Sequence, residues 1–346
     1  MIKNISVFDF FSGCGGTSQG FLQAGMDIVF GLDVDELAGK TFKLNFPEAE
    51  FYNADITKLD VSCIKNIYQK VVSGNNLTLF SGCAPCQPFS TQNRSKHDSD
   101  PRINLLNEFG RFVMEYQPDF IFIENVPGMQ KLKDYATPFS DFLNNLSYLG
   151  YYYSFDVVSA LWYGVPQDRK RLIMIGSKNK NISLPKITHD GNEIPFSTVR
   201  DWIYYLPKIK DGESDSSIPD HQSASLNELN KLRIKCTPEG KGRESWPDEL
   251  KLKCHSQHSG HKDVYGRLAW NKPSSVLTTR CTSYSNGRFG HPEQNRALSL
   301  REAALLQTFP MSYKFFGNFN AKAKQIGNAV PPLMSEVVGR HLLTLI

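Results

Sequence analysis

The sequence predicts a doubly wound α/β sheet joined to a smaller, loop-rich domain, and three observations carry that prediction. Short apolar, β-rich runs recur through the first 180 residues with helical spacing between them. Acids, glycines and a thiol cluster where those runs end, which is where such sheets bind ligands. From about Asn181 to Asn295 the alternation fades into polar pieces such as "KDGESDSSIPDHQS" and "CTPEGKGRESWPDE", punctuated by Gly and Pro. With 346 residues, of which 40% are hydrophobic and 21% charged, the chain has material for a packed core and room for two domains.

Each element follows in order. "ISVFDFF" reads as a first strand, stopped by Gly13-Cys14-Gly15-Gly16, and "SQGFLQAG" has helical spacing. "DIVFGLD" is a second strand ending in Asp33, and "NADIT" places Asp55 at the end of a third. "LTLFSGC", "FIFIENVPG" and "RLIMIGSK" complete the set. Helical patterning returns from about Arg296 in "SLREAALLQTFP" and "AKQIGNAVPPLMSEVVGRHLLTLI". Residues 1–180 plus 297–346 are therefore expected to form the sheet domain, and 181–296 the second domain. The helix beginning at Arg301 and Glu302 is expected to be structural.

Composition narrows the functional classes. No apolar run is long enough to cross a membrane, and "MIKNISVFDFFSGCGG" lacks a signal-peptide pattern, so a cytoplasmic protein is expected. The seven cysteines are an odd, scattered set, unlike a secreted disulfide framework. A net charge of +4 assigns no partner, but its distribution is uneven. Residues 251–301 hold nine Lys/Arg against two acids, whereas 211–249 hold nine acids against five basic residues. A basic half of this kind is the footprint of a phosphate-contacting surface.

The glycine loop sets backbone amides at a helix N-terminus, and Asp33 follows about twenty residues later, where an acid can take ribose hydroxyls. The spacing is G-x-G-G rather than the dinucleotide fingerprint, and a lone glycine loop is common in turns; with Asp33 and Asp55 at successive strand ends, a nucleoside ligand is favoured over an ordinary turn. "FSGCAPCQPFS" (residues 80–90) has the C-x-x-C spacing of a redox dithiol or half a zinc site, yet it also reads as a strand running into a thiol-bearing loop. Glu124 ends a neighbouring strand, and Gln167, Arg169 and Arg171 stand at the entrance to another. A thiol, a carboxyl and two guanidinium groups would thus converge on one rim.

Together these motifs resemble the DNA cytosine-5 methyltransferase family of the bacterial restriction-modification type. The resemblance covers residues 5–180 and 297–335 and rests on "DFFSGCGG", "APCQPFS", "DPRINLL", "FIENVPG", "QDRKR", "SLREAALLQTFP" and "KQIGNAVP". It implies a Rossmann-like S-adenosylmethionine-dependent methyltransferase sheet with a smaller target-recognition domain. It also implies that Cys86 adds to carbon-6 of a cytosine flipped out of the duplex, turning the ring into an enamine that can accept a methyl group at carbon-5. Glu124 would share a proton with ring nitrogen 3, Arg171 would meet the base carbonyl and Arg169 the adjacent phosphate, with Gln167 beside them. For the cofactor, the resemblance implies Phe11 against adenine, the amides of Gly13, Cys14, Gly15 and Gly16 at the methionine end, Asp33 and Val34 at the ribose, and Asp55 and Ile56 at the adenine. Pro85 and Leu105 would line that pocket, and Asn328 and Ala329 would meet the methionine carboxylate. Two positions depart from the family's pattern: Leu32-Asp33 replaces a usual Asn-Glu, and Cys14 a usual aliphatic residue.

The resemblance further implies double-stranded DNA as partner, a companion restriction endonuclease linked only genetically, and a monomer. Gln87, Ser90, Lys262, Arg267, Arg280 and Arg288 are the candidate DNA contacts, with Lys272, Tyr265 and Tyr284 beside them. No metal is expected: Cys254, His255, His258 and His261 in "CHSQHSGH" match no standard finger. Cys83 reads as a small buried neighbour of the nucleophile. A tRNA cytosine-5 methyltransferase, or a DNA-binding module without catalysis, are the competing readings; the long middle domain argues against the first and intact Cys86, Glu124 and arginines against the second.

Overall fold

A computed structural model describes residues 4–85, 104–128, 138–252 and 263–346. They divide into two compact units: residues 4–159, 170–187 and 330–346 in the first, and 160–169 with 188–329 in the second.

The first unit is built on seven strands: β1 (Ile5–Phe10), β2 (Asp27–Asp33), β3 (Glu50–Asn53), β4 (Leu77–Gly82), β5 (Phe120–Asn125), β6 (Tyr152–Ser159) and β7 (Lys170–Ser177). They lie in the order β3-β2-β1-β4-β5-β7-β6. The first five run parallel, and β7 is antiparallel to both β5 and β6. The expected α/β class is what the chain adopts. The reason is visible in β1, β4 and β5, whose near-continuous apolar runs are buried on both faces.

On one face Phe8, Phe10 and Phe80 meet Phe109 and Phe112 of the helix Leu105–Tyr116, with Phe10 and Phe112 ring centres 5.0 Å apart. Gly82 is required there, because a Cβ would stand 2.7 Å from the Phe109 ring. On the other face lies α1 (Gly16–Ala24), whose Phe21 meets Phe122 edge to face. The helix Pro332–Leu343 packs against α1 so closely that a Cβ on Gly20 would fall 2.0 Å from the Pro332 carbonyl oxygen.

The second unit has little regular structure and is held by buried arginines. Arg267 is 4% exposed and donates to the carbonyls of Thr237, Ile234, His291 and Gln294 and to Asn295 Oδ1. Arg296 makes a two-pronged pair with Glu302 at 2.7 and 2.6 Å. Glu302 also accepts the Ser299 amide at 2.7 Å, closing a capping box on the helix Leu300–Leu306. Arg301 donates to the Pro219 carbonyl at 2.9 Å.

These contacts place residues 297–329 with the second unit rather than with the sheet, where the pattern of helices alone had put them. The segment 160–169 joins them because Gln167 bonds Gln307 at 2.7 Å and the Leu277 amide at 3.1 Å. A structural role joining the domains is the expectation for Arg301 and Glu302; their hydrogen bonds to Pro219, Tyr313, Arg296 and Ser299 instead lie within this unit.

The Arg296 guanidinium holds the Glu302 carboxyl down to about 2, against the burial that would raise it. Its contribution to stability is therefore present above the ordinary carboxylate range and lost as pH falls from about 4.5 toward 2. Glu302→Ala leaves Arg296 buried and unpaired and is expected to cost ~3–5 kcal/mol at neutral pH, measured by denaturant unfolding. A loss below ~1 kcal/mol would mean the pair contributes little beyond packing.

Candidate active site

The ends of the parallel strands assemble the glycine loop and its acid. Phe11 turns the chain out of β1 with φ at 60°, an uncommon value for a residue with a side chain. Gly13 follows at φ 53° and donates its amide to Asp33 Oδ2 at 2.8 Å. Gly15, at φ 89°, caps α1, and the start of that helix receives no side-chain cap among the described residues. Amides at such a terminus suit a carboxylate. Asp33 ends β2 and also accepts the Asp35 amide at 2.8 Å; burial pushes its carboxyl upward. Val34 beside it is 72% exposed.

Asp55 follows β3, where its Oδ1 accepts the Thr57 amide and hydroxyl, and the hydroxyl bond holds its pKa low. Ile56 is buried and Leu105 half-buried against the core. A glycine turn, whose Gly13 and Gly15 amides are spent on Asp33 and the Ser12 carbonyl, leads into an uncapped helix start, and with two acids at successive strand ends it fits a nucleoside that carries an amino-acid tail. Phe11, Gly13, Gly15, Gly16, Asp33 and Asp55 are the residues able to hold it.

The rim continues at β4 and β5. Ala84 is fastened by Asn125, whose side-chain amide donates to its carbonyl at 3.2 Å. Pro85 is exposed, and Cys86, Gln87 and Ser90 lie outside the described residues. Glu124 is 7% exposed, and Arg171 Nε stands 2.9 Å from its Oε1. That contact is an ion pair rather than an aligned hydrogen bond, since Oε1 accepts none among the described residues. The antiparallel turn of β7 is what brings the two together: Glu124 pairs with Ile173, so Arg171 lies at the same rim.

Cys83 sits among these groups, with Thr17 Oγ1 3.7 Å from its sulfur. The residue is half-buried by area, but its thiol is enclosed. Burial first, then the charges of Glu124 and Asp9, raise its pKa beyond the reach of neutral pH. A thiol so placed is a poor nucleophile and a poor redox partner. Cys14 is likewise buried and pushed up to about 12, so its replacement of an aliphatic residue is one apolar filler for another.

Some expectations need revision, and others fall outside the described residues. Gln167 is fully buried, and both ends of its amide are spent on Gln307 and Leu277, so it braces the second unit. Arg267 cannot face DNA, because all of its donors are turned inward. Tyr284 is buried with its hydroxyl 2.9 Å from that of Thr237, and Arg288 donates to Asp263 and to the Gly240, Lys241 and Arg267 carbonyls. Lys262 and the Cys254, His255, His258, His261 cluster lie outside the described residues; among the described ones no group of His, Cys, Asp or Glu could hold a metal.

Arg280 and Lys272 are exposed, as DNA contacts require. Arg169 is buried in the second unit, and its carbonyl accepts the Ala160 amide at 2.7 Å. Asn328 is exposed at the end of the helix Phe319–Asn328, while the Ala329 carbonyl accepts from Gln307 at 2.5 Å.

A family model for C-5 cytosine-specific DNA methylases matches residues 5–344. The chain belongs to that family. It is accordingly a DNA cytosine-5 methyltransferase, of a family whose chemistry depends on S-adenosylmethionine. It is 37% identical to the Type II methylase M.HgiDII of Herpetosiphon aurantiacus, over 97% of this chain and 94% of that one. It is 31% identical to the Type II methyltransferase M1.HphI of Haemophilus parahaemolyticus, over 99% and 87%. Among solved structures, a candidate DNA modification methyltransferase encoded in an E. coli prophage superposes with a TM-score of 0.75 at 25% identity, covering 99% of each chain. The S. pombe Dnmt2 methyltransferase, at 19% identity and a TM-score of 0.63 over 98% of each chain, shares the fold. No helix among the described residues of this methyltransferase is long and apolar enough to cross a membrane.

The residue that sequence reading passed over is Asp9, an acid inside the otherwise apolar "ISVFDFF". It is 0% exposed, and burial, with the Asp33 charge adding to it against the Ser18 hydroxyl, pushes its pKa to about 7. A carboxyl raised on folding weakens the protein as pH climbs from about 4 to about 7. Asp9→Asn keeps an acceptor for Ser18 and removes that loss. The variant's stability gain over the parent is expected to grow from near zero at pH 4 to as much as ~4 kcal/mol at pH 8, read by denaturant unfolding. A gain that does not vary with pH would contradict the assignment.

Proposed function

We propose that this methyltransferase places the methyl group of S-adenosylmethionine on carbon-5 of a cytosine within a short duplex DNA sequence, acting as a monomer in the bacterial cytosol. Type II relatives support a further reading, that the methylation protects DNA from a companion restriction endonuclease. The observation that carries the mechanism is the buried Glu124–Arg171 pair, whose carboxyl stands on β5, beside the strand that precedes Pro85 and Cys86 in the sequence.

Cytosine carbon-5 is too weak a nucleophile to take a methyl group unaided. The Cys86 thiolate would add to carbon-6 of the extruded base, and the electron pair of the 5,6 double bond would become available at carbon-5. Glu124 would hold a proton against ring nitrogen 3, offsetting the charge that develops as sulfur adds. Arg171, already paired with that carboxylate, would orient it and donate to the base carbonyl. S-adenosylmethionine supplies the methyl group as an electrophilic sulfonium. Its nucleoside would be held by Phe11, Asp33 and Asp55 and its amino-acid end by Gly13 to Gly16. Expelling the carbon-5 proton and then Cys86 restores the ring.

Flipping the base costs a few kcal/mol, which contacts along the DNA must offset. Arg280, Lys272 and the basic sequence around them are the residues proposed to supply those contacts in the target-recognition unit.

Two substitutions test the chemistry. Cys86→Ser is expected to abolish transfer of labelled methyl groups to duplex DNA, and undiminished transfer would end the covalent mechanism. Glu124→Gln should leave DNA binding intact and lower kcat by ~10²–10⁴-fold. Bisulfite sequencing of DNA from cells producing the protein would identify the modified cytosine.

A further inference from the structure

Asp9 takes no part in the chemistry assigned to Cys86, Glu124 and the arginines, yet it is the buried acid nearest the start of the glycine loop in sequence. Its Oδ2 accepts the Ser18 hydroxyl at 2.6 Å, from the first turn of α1. Its Oδ1 and the hydroxyl of Ser81, its in-register neighbour on β4, are both buried and unbonded among the described residues. A carboxyl with an orphaned oxygen is costly inside a sheet, and such groups gather at functional sites. One residue before Ser18, Thr17 reaches the Cys83 sulfur, so Asp9 sits beneath the start of α1, between the glycine loop and the rim.

We propose that Asp9 is the buried counter-charge by which the protein tells the cationic methyl donor from its neutral thioether product. The proposal rests on the S-adenosylmethionine reading of the glycine loop. Donor and product share the same adenosyl and amino-acid ends and differ by one methyl group and one positive charge on sulfur. A group that senses charge through a low-dielectric interior can separate them without touching the sulfur. Burial leaves Asp9 poised near pH 7, with the Ser18 hydroxyl already oriented toward its carboxylate form. Binding a cation favours that form and releases a proton, whereas the product has no such charge to offer.

The other titratable groups around Asp9 are accounted for. Asp33 on β2 acts on it directly, and the Cys83 thiol beyond β4 stays protonated. Glu124 on β5 is paired with Arg171, and the Cys14 thiol in the loop stays protonated. On the helix Pro332–Leu343, Arg340 pairs with Glu336, and His341 bonds the Ser183 carbonyl.

The test is the affinity of the full-length protein for S-adenosylmethionine and for S-adenosylhomocysteine, by calorimetry from about pH 5.5 to 8.5. Below the Asp9 transition the acid is protonated and discriminates little; as pH rises through about 7 it ionises and donor affinity climbs to a plateau. The preference for donor over product is expected to rise about five- to tenfold more across that range in the wild-type protein than in Asp9→Asn. The sulfonium makes the donor's own amino group more acidic than the product's, and Asp9→Asn carries that difference without Asp9, so the part of the rise lost in the variant is the part assigned to Asp9. Should Asp9→Asn not fold, the wild-type protein carries the test: titrations near pH 6.5, where the amino group of either ligand is still protonated, in buffers of different ionisation enthalpy should show up to about half a proton released with the donor and none with the product. A flat ratio in wild-type protein that binds both ligands, or an undiminished rise in Asp9→Asn, overturns the proposal alone. A protein that binds neither ligand overturns the cofactor reading, and the proposal with it.

Discussion

β1 and β5 are buried along their whole length and β4 from Thr78 onward, so any polar side chain there must find its partner inside the protein. The sheet therefore tolerates acids chiefly at one rim, where the strands end and loops can supply donors. Asp33 meets that demand with the Gly13 and Asp35 amides, Asp55 with Thr57, and Glu124 with the Arg171 guanidinium. Each arrangement also leaves the acid near the position from which a ligand would be read. The fold and the site share one cause: charge is expelled from the middle of the sheet to its edge.

The same constraint separates the two thiols of "CAPC". Spacing alone makes Cys83 and Cys86 equivalent, since either a dithiol or a nucleophile with a neighbour satisfies it. The surroundings do not. Enclosure and the nearby carboxyls of Glu124 and Asp9 keep Cys83 protonated. The Asn125 amide fixes the backbone at Ala84, so the chain leaves the strand along a defined path toward Pro85. A carboxyl that would assist addition to a base thus also suppresses the competing thiol.

In the second unit arginine has a different use. Arg267, Arg296 and Arg301 are buried and spend their donors on carbonyls and carboxylates, bridging segments that lack a sheet or bundle to hold them. A planar guanidinium with five donors is suited to tying several irregular strands of backbone at once. The basic count of this region therefore overstates its exposed positive surface, and Arg280 and Lys272 stand out because they remain outside.

Much was decided by the sequence itself. The strand order of apolar runs, the glycine loop, the acids at strand ends and the motifs of the family are local patterns, and local patterns are legible because period and composition follow burial on a single element. What only the tertiary structure decided depends on contacts between distant residues. The antiparallel β7 brings Arg171 to Glu124, the Gln167–Gln307 and Arg296–Glu302 bonds draw residues 160–169 and 297–329 into the second unit, and the inward turn of Arg267 removes it from the DNA-facing set. An arginine reads the same in sequence whether it meets phosphate or a buried carbonyl. An acid such as Asp9 reads as an interruption of a strand until Ser18 and Ser81 are seen beside it.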